Sequence, residues 1–139
     1  MGLVYADIEL YNTDDIALVN HGYRKPEEIR KTTVRALVDS RAYMLCLNEN
    51  TVKQLGLKFI MKQTTQLANG EITELDIVGP VEVKFLNRST SCRAMVIPGE
   101  NETLLGAIPM EDMDVLIDPR SQTLILPPER PYLAQKSLK

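Results

Sequence analysis

The sequence predicts an all-β domain, barrel-like or sandwich in layout, with one or two short helices. Three observations carry that expectation: many short runs in which apolar and polar residues alternate, turn residues between them, and only two segments with helix signals. Val4, Ala6, Ile8 and Leu10 alternate with Tyr5, Asp7 and Glu9, the period of a half-buried strand. Residues 16–19 form a second short apolar run, and His21-Gly22 to Pro26 is a loop whose charged surface covers residues 24–31. Residues 32–38 combine β-branched side chains with Val34, Ala36 and Val38 on one face, predicting a core strand that ends at Asp39. A second apolar strand is expected over 43–47.

Asn48 is suited to cap a two-turn helix through Leu55, with Val52 and Leu55 on one face and Gly56 as terminator. Asn69-Gly70 marks a tight hairpin with arms near 62–77, because both residues tolerate the positive φ that a two-residue turn demands. Val81, Val83 and Phe85, then Cys92, Ala94 and Val96, predict another hairpin through Asn87-Arg88. A helical turn or two is expected over 109–113, then strands over 115–117 and 123–126 around Asp118-Pro119. After Pro127-Pro128 the chain reads as a loosely held tail, giving a domain over 1–126 and a tail over 127–139.

The 139 residues fit one core and leave no room for two full lobes. With 16 basic and 19 acidic residues, the net charge of −3 gives no electrostatic reason for a nucleic-acid or anionic-membrane partner. The first residues lack the basic start and apolar run of a secretory signal, and no stretch reaches membrane-spanning length, so a cytoplasmic location is expected. Cys46 and Cys92 lie in alternating apolar segments and read as reduced, small hydrophobes. No metal or other cofactor is expected. His21 stands alone without a nearby cysteine, and the acids Glu111, Asp112, Asp114 and Asp118 lack the central glycine and terminal glutamate of a calcium loop.

The segment that points to chemistry is Ala36-Leu37-Val38-Asp39-Ser40-Arg41-Ala42. A carboxylate at the end of an apolar strand must be hydrogen-bonded, paired or perturbed, and each of these makes Asp39 a site candidate. The alternative is an Asp-Ser pair that merely forms a turn.

Leu37-Val38-Asp39-Ser40 and Ala42 resemble the active loop of the retropepsin-like aspartic peptidases, which runs apolar-apolar-Asp-Thr/Ser-Gly-Ala after a strand. The resemblance continues through Leu55-Gly56-Leu57, the Ala68-Asn69-Gly70 hairpin and Leu104-Leu105-Gly106, followed by 110–118. It is closest to the bacterial single-domain members. The resemblance implies a closed, barrel-like acid-protease lobe, and a homodimer in which two copies of Asp39 activate a water for hydrolysis of an extended peptide or protein. It further implies that Ser40 braces the paired loops, that Gly106 lets a chain segment pass close to Asp39, and that Ala68, Asn69 and Gly70 form a flap over the substrate.

This chain departs from the family at Arg41, which stands where the family has glycine. An arginine there either pairs with Asp39 and leaves a catalytically inactive, dimeric peptide-binding or structural module, or points to solvent and receives an acidic side chain of a peptide.

Overall fold

The computed structural model describes residues 2–99 and 101–135. Alternation drives the first strand: β1 (Tyr5–Asn12) buries Ala6, Ile8, Leu10 and Asn12 and turns Asp7 and Glu9 to solvent. It pairs antiparallel with β2 (Lys31–Val38) and, through its second half, with β5 (Ile72–Phe85). From β2 the sheet continues through β7 (Leu104–Leu105), β3 (Leu45–Asn48) and β6 (Arg88–Ile97), and β6 pairs with β5. Contact of β5 with β1 therefore closes a ring.

One more strand, β4 (Lys58–Gln66), lies outside the ring and pairs only with β5. β5 changes partner midway: residues 72–79 pair with β4, and Val81 to Lys84 pair with β1. The corner falls at Gly79-Pro80, where the ladder to β6 is also irregular. Proline lacks the donor that a continuous ladder requires, and Gly79 has a φ of 145° with the Arg93 backbone close by. Strands β8 (Leu116–Asp118) and β9 (Thr123–Ile125) form a separate antiparallel pair.

The ring is filled by Ile8, Leu10, Leu45, Leu47, Val81, Val83 and Leu105, with Leu55 and Met113 closing it from two helices. Burying each of these side chains contributes roughly 1.5–3 kcal/mol. The first of those helices, α2 (Glu49–Leu55), follows the expected capping: the Asn48 side chain accepts from the Thr51 N–H, and Gly56 ends it at φ 63°. The second, α3 (Ala107–Met113), starts directly after β7.

A third helix was not expected. Residues 16–19, read as a short apolar run, lie in α1 (Thr13–Asn20), because Asn12 ends β1 and its side chain accepts from the Asp15 N–H. The same Asn12 amide donates to the Leu55 carbonyl at 2.8 Å, tying α1 to α2. Asp15 is buried and receives Nε, Nη2 and the backbone N–H of Arg30 at 2.9, 2.9 and 3.0 Å.

The tail is also held more firmly than its composition suggested. Pro127 is fully buried, Arg130 forms a two-pronged pair with Asp114 at 2.8 and 3.0 Å, and the Gln135 N–H reaches the same carboxylate at 3.0 Å. Asn87 donates to the Pro131 carbonyl at 2.9 Å, and Arg88 donates to that of Arg130.

These two ion pairs make folding stability depend on pH in the acid range. Hydrogen bonding from Arg30 lowers the Asp15 carboxyl against the opposing effect of burial, and hydrogen bonding from Arg130 lowers Asp114 to about 2. A depressed folded value means that the stabilisation is complete above the unfolded value of 3.8 and is lost as pH falls through the folded one. The melting temperature is therefore expected to drop as pH is lowered from about 4 toward about 2. Melting curves of Asp114→Asn should show a shallower drop over that window. Identical slopes for the two proteins would exclude Asp114 as a source of acid sensitivity.

Candidate active site

Asp39 is placed by the end of β2. The Val38 N–H donates to the Val4 carbonyl at 2.8 Å, and the Asp39 N–H donates to that of Leu105 at 3.0 Å. The chain then turns: the Ala42 N–H returns to the Asp39 carbonyl at 3.0 Å, and the Arg41 N–H donates to Asp39 Oδ1 at 3.0 Å. Oδ2 has no hydrogen-bond partner among the described residues. The side chain is 22% exposed, so this carboxylate is accessible at the surface of an otherwise apolar strand end.

Gly106 supports the loop from beneath. A Cβ at this position would lie 2.3 Å from the Met44 carbonyl oxygen and 2.7 Å from that of Ala42. Immediately after it, the Ala107 and Ile108 N–H groups donate to the Ala42 and Tyr43 carbonyls at 2.8 and 3.1 Å. Those bonds explain why β3 starts at Leu45 instead of the expected residue 43: the backbone of 42–43 is satisfied by the start of α3 and not by a neighbouring strand.

Across from the loop stands the hairpin of β4 and β5. Its tip differs from the expected two-residue turn. Leu67 and Glu71 still pair, the Gly70 N–H donates to the Leu67 carbonyl at 2.9 Å, and Asn69 Oδ1 accepts from the Glu71 N–H at 2.9 Å. Of Ala68, Asn69 and Gly70, only Gly70 has positive φ, 89°. The result is a three-residue tip in which Asn69 stabilises the turn through its side chain.

Between loop and hairpin lies a cleft of about 800 Å³. Asp39, Arg41 and Ala42 line its floor and Ala68 and Gly70 its far rim, whereas Ser40, Asn69 and Gly106 do not line it. Its walls come from residues that sequence reading did not assign to a site, among them Cys46, Leu75, Met95, Ile97 and Leu104. The signal was present in β6: if Ala94 faces the ring interior, Met95 faces the other way. Burial, with the Asp39 charge second, pushes the Cys46 thiol up to about 11, so it remains a neutral wall residue. Both Cys46 and Cys92 are unpaired.

Asp39 and Arg41 also line a second opening, a groove of about 590 Å³ shared with Leu3, Ser40, Ile117 and Pro119. Thus Asp39 and Arg41 stand where the cleft meets this second groove. Arg41 reaches it with Nε at 3.3 Å from Oδ1, while its side chain is 92% exposed. The arginine therefore combines the two orientations anticipated for it: one nitrogen touches Asp39 and the rest of the guanidinium faces solvent. An ion pair this exposed contributes at most about 1 kcal/mol and is easily exchanged for another.

Residues 26–126 match the family model described as aspartyl protease. No curated protein matches the chain. Among the described residues, no helix is long and apolar enough to cross a membrane.

Proposed function

Because this chain belongs to the retropepsin-like aspartyl protease family, we propose that it is an aspartic endopeptidase whose active site forms when two copies bring their Asp39 side chains together. The observation that carries this reading is the position of Asp39, the only carboxylate among the described residues that line the cleft, where the cleft meets a second groove. One carboxylate cannot be base and acid at once. A second copy approaching across the groove supplies the other, and two carboxylates that close hold one proton between them.

In this mechanism the ionised Asp39 removes a proton from a water held between the pair, and the oxygen of that water bonds to the peptide carbonyl carbon. The protonated Asp39 donates to the carbonyl oxygen, giving a tetrahedral diol. Collapse breaks the C–N bond: the departing amine takes the proton from the carboxyl that gained it, and one diol hydroxyl gives its proton to the other carboxylate, releasing a carboxylic acid and an amine and restoring the one-proton pair. The substrate lies extended beneath the hairpin, whose tip at Ala68 and Gly70 closes the cleft. Ser40, exposed in the groove, is positioned to brace the neighbouring loop. Dimerisation and a location in the cytoplasm belong to this same reading.

The Nε contact of Arg41 with Asp39 favours one other reading, a catalytically silent dimer that binds peptides. Cleavage of a mixed peptide library, followed from pH 3 to 7 over a range of protein concentrations, separates the two. A shared site requires the rate per chain to rise with concentration until dimers saturate. A rate per chain that stays constant down to concentrations at which the protein is measured to be monomeric would exclude a site built from two subunits. Absence of cleavage from a demonstrated dimer would favour the silent module.

A further inference from the structure

We infer that Arg41 is a specificity-determining residue that selects peptides carrying an aspartate or glutamate beside the bond to be cut, and that an arriving carboxylate draws the guanidinium away from Asp39. This rests on the peptidase reading above. Among the described residues, the cleft walls are apolar or uncharged, and the only charged side chains lining it are Asp39 and Arg41. An anionic substrate group entering the cleft therefore meets one cation, directly next to the reactive carboxylate.

The geometry leaves Arg41 available for a second partner. Only its Nε contacts Asp39, at 3.3 Å, and among the described residues no other carboxylate lies within ion-pair distance of it. Its terminal nitrogens present the planar fork that binds a carboxylate through two parallel hydrogen bonds, a stronger arrangement than the single contact to Asp39. Exchange from a single to a two-pronged pair favours the substrate. The backbone N–H of Arg41 keeps its bond to Oδ1, so the loop holds its shape while the side chain moves. Peptides without an acidic residue leave the guanidinium in contact with Asp39, where it crowds the carboxylate that a water must reach.

The test uses peptides in matched Glu and Gln pairs at each position flanking the cleaved bond, with the wild-type protein, Arg41→Gln and Arg41→Lys. The wild type is expected to favour Glu over Gln by about ten- to a hundredfold in kcat/KM, the range of a charge-assisted hydrogen bond. In Arg41→Gln the preference should fall to near onefold and Gln peptides should be cleaved faster than by the wild type. Arg41→Lys should retain part of the preference, since it keeps charge without the fork. Equal preference in the wild type and Arg41→Gln, or none in the wild type, overturns the inference and leaves the peptidase reading standing. If no form cleaves any peptide, the peptidase reading falls, and fluorescence anisotropy with the same peptides on Asp39→Asn and on Asp39→Asn/Arg41→Gln decides the inference. Tighter binding of Glu peptides that depends on Arg41 supports it; no discrimination overturns it.

Discussion

Asp39→Asn is expected to reduce peptide cleavage by about 10²–10⁴-fold while leaving the fold unchanged. The amide has the size of the carboxylate, and its oxygen can still accept the Arg41 N–H that holds Oδ1 at 3.0 Å. What it loses is the ability to take a proton from water. Because the side chain is part-exposed and not a core contact, the melting temperature should stay close to that of the wild type. The loss should fall on kcat more than on KM, since the change removes an interaction used in the transition state and not the cleft that binds the peptide. Mixing provides a sharper measurement. With a threefold excess of Asp39→Asn chains, only about a quarter of wild-type chains find a wild-type partner, so wild-type activity should fall to about a quarter. Unchanged activity in that mixture would mean that each chain works alone.

Gly106→Ala is expected to destabilise the protein by roughly 2–4 kcal/mol. The added methyl would lie 2.3 Å from a backbone oxygen, and that oxygen belongs to a segment pinned by the Ala107 and Ile108 amides. Flexible side chains can yield to a clash; this backbone cannot without breaking those bonds. The reason is space and not torsion, as Gly106 has a φ of −90° that any residue adopts. Gly70→Ala is the opposite case: nothing lies within 4 Å of the added atom, but a φ of 89° costs about 1 kcal/mol. Thermal melts of the two variants should therefore differ, with Gly106→Ala about 10 °C or more below the wild type and Gly70→Ala only a few degrees below. A Gly106→Ala protein within a few degrees of the wild type would show that the loop segment can shift.

The alternating residues of β1, β2, β5 and β6 were legible because each buries one face, and period two is visible in a single sequence. α2 was legible through Asn48 and Gly56. α1 was not, because it is two turns long and its cap, Asn12, is also the last residue of a strand. The start of β3 was misplaced by two residues because backbone pairing of 42–43 with α3 is a contact between segments more than sixty residues apart, which no local pattern encodes. The tail failed for the same reason: two prolines signal a break, whereas the partners that hold it, Asp114, Asn87 and Arg88, belong to other elements.

Asp39 and the hairpin tip were legible as separate signals, one a charge at the end of an apolar run and the other an Asn-Gly pair. Their placement on opposite sides of one cleft was implied only by the family resemblance, since no local pattern encodes how β4 and β5 lean over the ring. Met95 shows the limit most clearly. Alternation in β6 sets it on the face opposite Ala94, but that this face lines a cleft follows only from how β3 and the hairpin are placed around it.

Ring closure has one more consequence, concerning how copies of this chain can meet. Within the seven-stranded sheet, β4 alone has a single neighbouring strand among the described residues, and Lys58 and Lys62 stand exposed along it. Lys62 is paired with Asp76 at 2.9 Å, which leaves Lys58 as the open charge, and a lysine on an open edge disfavours the addition of a further strand. Association of copies through this edge is thereby disfavoured.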